Sequence, residues 1–127
     1  MQELMIDTNI FDKMIADEYF PEIWQAVSSG MVKLLTCEIQ EEEISRIQNP
    51  RKLQLIQSIP RQVVPQVSLD DPGDDLGSDL RIAHTAAKCA DAFVTEDKKL
   101  QEWYQEHYPN HPCLNYQDFL ILILRSV

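Results

Sequence analysis

Short apolar runs that lead to polar residues alternate along this chain with longer stretches of helical periodicity, and this alternation restricts the folds it can adopt. Residues 4–6 are followed by Asp7, residues 92–95 lead to Asp97, and residues 31–35 form another apolar run. Runs of this length are typical of buried strands, whereas apolar residues at intervals of three and four are typical of amphipathic helices. The alternation predicts a three-layer α/β domain, with a central, mainly parallel sheet flanked by helices.

The length of the chain limits it to one domain. With 127 residues it can bury one hydrophobic core, and we expect residues 1–127 to fold as a unit. No run reaches the ~20 apolar residues that cross a bilayer, and the first residues lack the basic region of a signal peptide. The three cysteines are widely spaced and include no Cys-x-x-Cys pair, which is typical of reduced thiols. These features predict a cytoplasmic protein.

The helix predicted after Asp79 places a carboxylate among core residues. Apolar residues follow Asp79 at intervals of three, four, seven and eight, namely Ile82, Ala83, Ala86 and Ala87. Asp79 therefore lies on the stripe that is predicted to pack inward. Considered alone, an aspartate at this position is explained equally well by a helix cap and by a functional site.

A second inward-facing carboxylate is predicted in the helix whose N-cap we assign to Thr36. Glu43 lies four residues after Ile39, within the apolar side of this helix. Its neighbours Glu41 and Glu42 are predicted to point away from that side. We therefore select Glu43 as the functional glutamate, with Glu42 as the alternative.

These carboxylates are predicted to converge on one pocket. Asp7 and Asp97 each follow a buried strand, and the carboxyl ends of parallel strands meet at one edge of a sheet. Asp79 and Glu43 then approach from helices. Four carboxylates in one pocket repel one another unless hard cations neutralise them, so the pattern predicts a site for Mg²⁺ or Mn²⁺. Such ions activate water and stabilise the charge that builds on a phosphodiester during hydrolysis.

The net charge constrains how such a protein could meet a nucleic acid. The chain carries 21 acidic and 11 basic side chains, a formal net charge of −10, which argues against broad, unaided attraction to a phosphate backbone. A metal-assisted nuclease is compatible with this charge, because its ligands are themselves acidic. The candidate RNA contacts are Arg81, Lys88, Lys98 and Lys99.

Taken in order, the motifs of the chain resemble those of PIN-domain proteins, of the kind found as ribonuclease toxins in VapC-type toxin–antitoxin pairs. The resemblance covers about three quarters of the chain, whereas residues 51–77 carry no motif of that family. The motifs that carry it are Ile6-Asp-Thr-Asn-Ile-Phe11, Leu34-Leu-Thr36 with Glu43-Ile44, Asp79-Leu-Arg-Ile-Ala83 and Ala90-Asp-Ala-Phe-Val-Thr-Glu-Asp97.

The resemblance implies a three-layer PIN-like domain that acts as an endoribonuclease. It further implies a homodimer, and an antitoxin whose C-terminal segment blocks the site. Asn9 and Thr95 match polar positions that support the metal centre. By the same resemblance, one or two Mg²⁺ or Mn²⁺ ions are held by Asp7, Glu43, Asp79 and Asp97.

Two alternatives remain open at the level of sequence. A receiver-like Mg²⁺-binding regulatory domain also has acids at strand ends, but it would need an acidic pair after the first strand and a phosphorylatable aspartate after a middle one. The second alternative is a catalytically silent PIN fold that acts only by binding proteins.

The sequence also predicts the structural environment of three further segments. Residues 63–67 contain a proline and predict an edge segment of the sheet. Residues 70–77 are rich in turn formers and predict an exposed loop. Residues 119–124 are apolar on nearly all sides, which predicts burial in the core or in a subunit contact.

Overall fold

The computed structural model of the chain describes the backbone of residues 2–65 and 77–126 and the side chains of residues 2–65 and 80–125. Most of the loop predicted over residues 70–77 lies outside these ranges. The described strands are β1 (Gln2–Ile6), β2 (Val32–Cys37), β3 (Gln62–Val64), β4 (Ala92–Val94) and β5 (Cys113–Leu114). The described helices are α1 (Thr8–Ala16), α2 (Phe20–Ser28), α3 (Glu38–Ser45), α4 (Pro50–Gln57), α5 (Gly77–Cys89), α6 (Lys98–His107) and α7 (Tyr116–Ser126).

The strands form one sheet in the order β3-β2-β1-β4-β5, and every neighbouring pair is parallel. Successive side chains of a strand point to opposite faces, so in β1 Leu4 and Ile6 join one core and Met5 joins the other. Helices α1, α2, α4 and α7 cover the first face, and α5 and α6 cover the second. The predicted three-layer α/β architecture with a parallel central sheet is confirmed.

The strand order reverses at β1. From β1 the chain crosses to β2 and then to β3 on one side, and it returns to the other side for β4 and β5. The crevice at the carboxyl ends of β1 and β4 is therefore a topological switch point, the place where open α/β sheets bind ligands.

The apolar stripe predicted for α5 is confirmed. Ile82, Ala83 and Ala86 are at most 1% exposed. They pack in one core with Met5 of β1 and Phe93 of β4. Helix α5 thus packs against the centre of the sheet through apolar side chains, of which the two alanines are small.

The predicted N-cap of α3 is wrong by one residue. Thr36 belongs to β2, and Cys37 is the N-cap. Strand β2 extends this far because its last two residues pair with Val63 and Val64 of β3, the predicted edge strand. A capping box closes the start of α3, in which the Cys37 N–H donates to Gln40 Oε1 at 3.0 Å.

Glu41 is predicted to point away from the core, and this prediction is wrong. Arg61, whose side chain is 9% exposed, donates two parallel hydrogen bonds of 2.7 and 2.9 Å to the Glu41 carboxylate. The Thr36 hydroxyl donates to the same carboxylate at 2.7 Å. Arg61 also donates to the carbonyls of Ile56 and Ile59. This ion pair joins α3 to the segment between α4 and β3, a contact that helical spacing alone does not reveal.

Helix α7 buries only one side of its apolar run. Phe119 and Ile123 are fully buried in the core, whereas Ile121 and Leu124 are 42% and 37% exposed. The buried side packs against α2 and β5. Among the described helices, none combines the length and apolar character that spanning a bilayer requires.

Replacing Glu41 with glutamine is expected to destabilise the fold by roughly 2 kcal/mol at pH 7, because Arg61 would keep a buried charge without its partner. The Arg61 guanidinium, helped by the Thr36 hydroxyl and opposed by burial, lowers the pKa of Glu41 from its usual 4.5. The carboxylate therefore contributes stability that is fully present above pH 4.5 and is lost as the pH falls through the lower folded-state pKa. Urea unfolding at several pH values measures this difference.

The matched control for this prediction is Glu42→Gln, which changes an exposed residue of the same helix. It is expected to alter the free energy of unfolding by less than about 0.5 kcal/mol. A deficit in Glu41→Gln that stays constant as the pH is lowered well below 4.5 would contradict the assignment of the ion pair.

Candidate functional site

The candidate site lies at the switch point between β1 and β4. Asp7 follows β1 directly, and its N–H donates to the Val94 carbonyl at 2.9 Å, which extends the pairing of the two strands by one residue. Asp97 follows β4 after two intervening residues. Both aspartates therefore emerge at the same edge of the sheet, as their positions after apolar runs predict.

The Asp7 carboxylate is buried, and it does not cap the helix that follows it. Asp7 is 5% exposed and is the N-cap residue of α1, yet its side chain makes no capping hydrogen bond. Its Oδ2 instead accepts a hydrogen bond of 2.7 Å from Thr95 Oγ1. Burial of a carboxylate is costly unless other groups compensate its charge. The position of Asp7 is therefore explained better by a site at the sheet edge than by helix capping.

Thr95 connects the two aspartates. It is fully buried, and its hydroxyl donates to Asp7 while accepting from the Asp97 N–H at 3.2 Å. The Gln101 side chain fixes the backbone here by donating to the Thr95 carbonyl at 2.6 Å. Asn9, the other predicted supporting residue, is exposed in the first turn of α1, close to Asp7 in sequence.

Asp97 also has a structural role as the N-cap of α6. Its Oδ1 accepts hydrogen bonds from the N–H groups of Lys99 at 3.0 Å and Leu100 at 3.2 Å, and it thereby caps α6. The residue is exposed. Because the cap engages Oδ1, Oδ2 is the oxygen better placed to serve as a ligand.

Glu43 faces inward from α3, as its spacing predicts. The residue is half-buried with Oε1 fully covered, whereas Glu42 is exposed. Burial raises the pKa of the Cys37 thiol, and the negative charge of Glu43 acts in the same direction. Since Cys37 is the last residue of β2, the Glu43 charge lies at the carboxyl edge of the sheet, next to β1.

The direction of α5 brings Asp79 towards the same edge. The helix ends at Cys89, and β4 starts at Ala92, on the amino edge of the sheet. Because α5 packs along β1, β2 and β4, its first turn lies towards the opposite, carboxyl edge. Asp79 is the third residue of α5, and its side chain lies outside the described part of the chain.

The donor atoms at this edge suit a hard divalent cation. They are carboxylate oxygens, the ligands that Mg²⁺ and Mn²⁺ prefer. Within residues 2–65 and 80–125, no three His, Cys, Asp or Glu side chains group closely enough to hold one ion. Asp7, Glu43 and Asp97 all belong to these residues, so these three carboxylates do not by themselves form such a group, and the centre with four carboxylates stays a prediction.

The basic residues predicted to contact RNA do not all lie at the edge of the sheet that carries the site. Lys98 and Lys99 begin α6 at the edge that carries the site, and both are exposed. Arg81 is also exposed, in the first half of α5. Lys88 lies in the last turn of α5, ~13 Å along the helix axis from Asp79, towards the other edge of the sheet.

Two glutamines hold the backbone of the site, and neither is among the residues predicted from the sequence. Gln40 is fully buried, and its Nε2 donates to the Ile6 carbonyl and to Thr8 Oγ1, on either side of Asp7. Its position three residues after the N-cap is the signal that could have identified it, because glutamine there closes a capping box. Gln101 has no such signal, since its partner is the backbone carbonyl of Thr95, which lies before α6 and outside the helical repeat.

No family model matches this chain, and no curated protein or solved structure is significantly similar to it. The resemblance to PIN-domain proteins thus stays a prediction.

Thr95→Val is expected to lower the free energy of unfolding by roughly 1–2 kcal/mol, because the variant removes the hydrogen bond from the Thr95 hydroxyl to the Asp7 carboxylate and the acceptor of the Asp97 N–H. Thr95→Ser retains the hydroxyl, so its free energy of unfolding should fall much less than that of Thr95→Val. Urea denaturation of the three proteins measures the effect. Equal stabilities of the valine and serine variants would rule out a role for the hydroxyl.

Proposed function

We propose that this protein is a Mg²⁺- or Mn²⁺-dependent endoribonuclease that hydrolyses phosphodiester bonds at the switch point between β1 and β4. The observation that carries the proposal is the buried carboxylate of Asp7, which is held by Thr95 and makes no cap to its own helix. A carboxylate kept in that position, at the edge where α/β sheets bind ligands, is suited to a cation.

In this proposal one or two metal ions are held by Asp7, Glu43, Asp79 and Asp97. The bound ions would lower the pKa of a water molecule and stabilise the charge that develops on the phosphodiester. Thr95 orients Oδ2 of Asp7 by donating a hydrogen bond to it. The cap on α6 fixes the backbone that carries Asp97.

The proposed substrate is RNA, which would be guided by a small basic patch on an acidic protein. Lys98 and Lys99 are exposed beside Asp97, where they can contact the phosphates of a bound strand. The net charge of −10 opposes attraction elsewhere on the surface. This combination favours a local contact at the site over extended electrostatic binding.

The proposed partners follow from the resemblance and from the surface of α7. The resemblance implies a toxin that is blocked by an antitoxin and that forms a homodimer. The exposed side chains of Ile121 and Leu124 offer an apolar stripe that a second copy could cover.

The proposed compartment is the cytoplasm. The cysteines Cys37, Cys89 and Cys113 are free thiols, as expected in a reducing compartment such as this one.

The receiver-like alternative has little support from the topology. Receiver domains belong to the doubly wound sheets with strand order 2-1-3-4-5. The order here is 3-2-1-4-5, so the connection that changes sides follows β3 and not β2. The nuclease proposal therefore takes precedence over a phosphorylated regulatory domain.

The proposal is tested by incubating the purified protein with a pool of structured RNAs in Mg²⁺ or Mn²⁺. We expect cleavage that a chelator abolishes, and we expect Asp79→Asn to reduce its rate by roughly a hundredfold or more, because a metal ligand is lost. Glu42→Gln is the matched control, since Glu42 is exposed and should leave the rate unchanged.

Two other outcomes would overturn this proposal. Cleavage that survives Asp79→Asn or the chelator would exclude the proposed centre as its source. Metal binding with no cleavage of any RNA in the pool would favour the silent, protein-binding PIN fold.

Neutralising Lys98 and Lys99 together is expected to weaken RNA binding and to flatten its salt dependence. Each lost phosphate contact should reduce the slope of log K against log salt by about 0.7 for a single strand. Binding is measured in the Asp79→Asn background, so that the RNA stays intact. Lys88→Ala, the candidate at the far end of α5, is compared to measure whether the contact extends along that helix, and an unchanged slope in the double variant would exclude Lys98 and Lys99 from the RNA contact.

A further inference from the structure

We propose that Gln40 is a positioning residue that sets the separation of Asp7 and Glu43 by binding the backbone on both sides of Asp7 from the helix that carries Glu43. This inference rests on the proposed metal-dependent function and adds to it a residue outside the predicted ligand set. Gln40 is fully buried, and its position is determined by hydrogen bonds from both ends of its amide.

The donor end of the amide binds the β1 side of the site. Gln40 Nε2 donates to the Ile6 carbonyl, the last of β1, and lies 3.4 Å from Thr8 Oγ1, the first residue of α1. Asp7 is the residue between these two partners. A single amide group therefore fixes the turn in which the Asp7 carboxylate leaves the sheet.

The acceptor end of the amide binds the β2 side of the site. Gln40 Oε1 accepts from the Cys37 N–H at 3.0 Å, which fixes the side chain against the start of α3. Glu43 lies on the same helix, three residues after Gln40, and i and i+3 positions are neighbours on a helix surface. A shift of the Gln40 side chain would therefore change the position of Asp7 relative to Glu43.

Only an amide of this length satisfies both ends. A carboxylate accepts hydrogen bonds but cannot, when ionised, donate to the Ile6 carbonyl, and an apolar side chain does neither. The simpler explanation is that Gln40 serves only the capping box of α3. That explanation accounts for the bond to Cys37 but not for the donor bonds to the backbone beside Asp7.

The two explanations predict different results for metal binding. Residues that orient metal ligands typically change metal affinity by roughly tenfold to a hundredfold when they are replaced. If Gln40 positions Asp7 and Glu43, Gln40→Met should raise the Kd for Mn²⁺ by that factor. If Gln40 only caps α3, the variant should lose stability with an almost unchanged Kd.

The experiment measures Mn²⁺ binding to the 127-residue chain by titration calorimetry and by the electron paramagnetic resonance of free Mn²⁺. Wild type, Gln40→Met and Cys37→Ala are compared at a temperature at which circular dichroism shows all three to be folded. Cys37→Ala removes the thiol side of the capping box and leaves the Gln40 amide in place. It is expected to change the Kd by less than about twofold, since the bridge beside Asp7 persists.

Each result decides the question. A Kd raised at least tenfold in Gln40→Met and unchanged in Cys37→Ala supports the positioning role, and kcat for RNA should then fall with KM nearly constant. Equal Kd values in wild type and Gln40→Met would overturn the inference while leaving the proposed function in place. A wild-type protein that binds no Mn²⁺ would overturn the proposed function, and the inference with it.

Discussion

The pairing of β1 with β2 on one side and β4 on the other is the constraint on which the rest of the structure depends. Parallel strands present their carboxyl ends at one edge, so this pairing brings the residues after β1 and β4 together without any contact between their side chains being required. The Asp7 N–H bond to the Val94 carbonyl continues the ladder into the site. The separation of the two aspartates is thus set first by backbone hydrogen bonds and only then by Thr95.

A buried carboxylate at this edge is tolerated because neighbouring polar groups are arranged around it. Thr95 donates to Asp7, and the amide of Gln40 is satisfied at both ends by the strands it joins. Buried polar groups destabilise a protein when they lack partners, so these contacts allow the Asp7 carboxylate to be buried at the edge of an otherwise apolar sheet. The Arg61–Glu41 pair stabilises α3 by joining it to the segment between α4 and β3.

Local periodicity predicts much of the fold. The apolar stripe of α5 and the inward direction of Glu43 follow from spacing along one helix, because neighbouring turns repeat every three to four residues whatever the rest of the chain does. The same logic fails for Thr36 and Glu41. Thr36 belongs to β2 because it pairs with β3. Glu41 is partly buried because it binds Arg61, twenty residues further along the chain.

The sequence by itself determined the types of element, the faces that pack, and the carboxylates that follow the central strands. Those properties depend on residues that are close together in the chain. Only the tertiary structure decided the strand order, the bond from Thr95 to Asp7 across 88 residues, and the bridge of Gln40 to β1 across 34. Contacts at such separations leave no periodic signal, because their geometry exists only after the strands have paired and the helices have packed on the sheet.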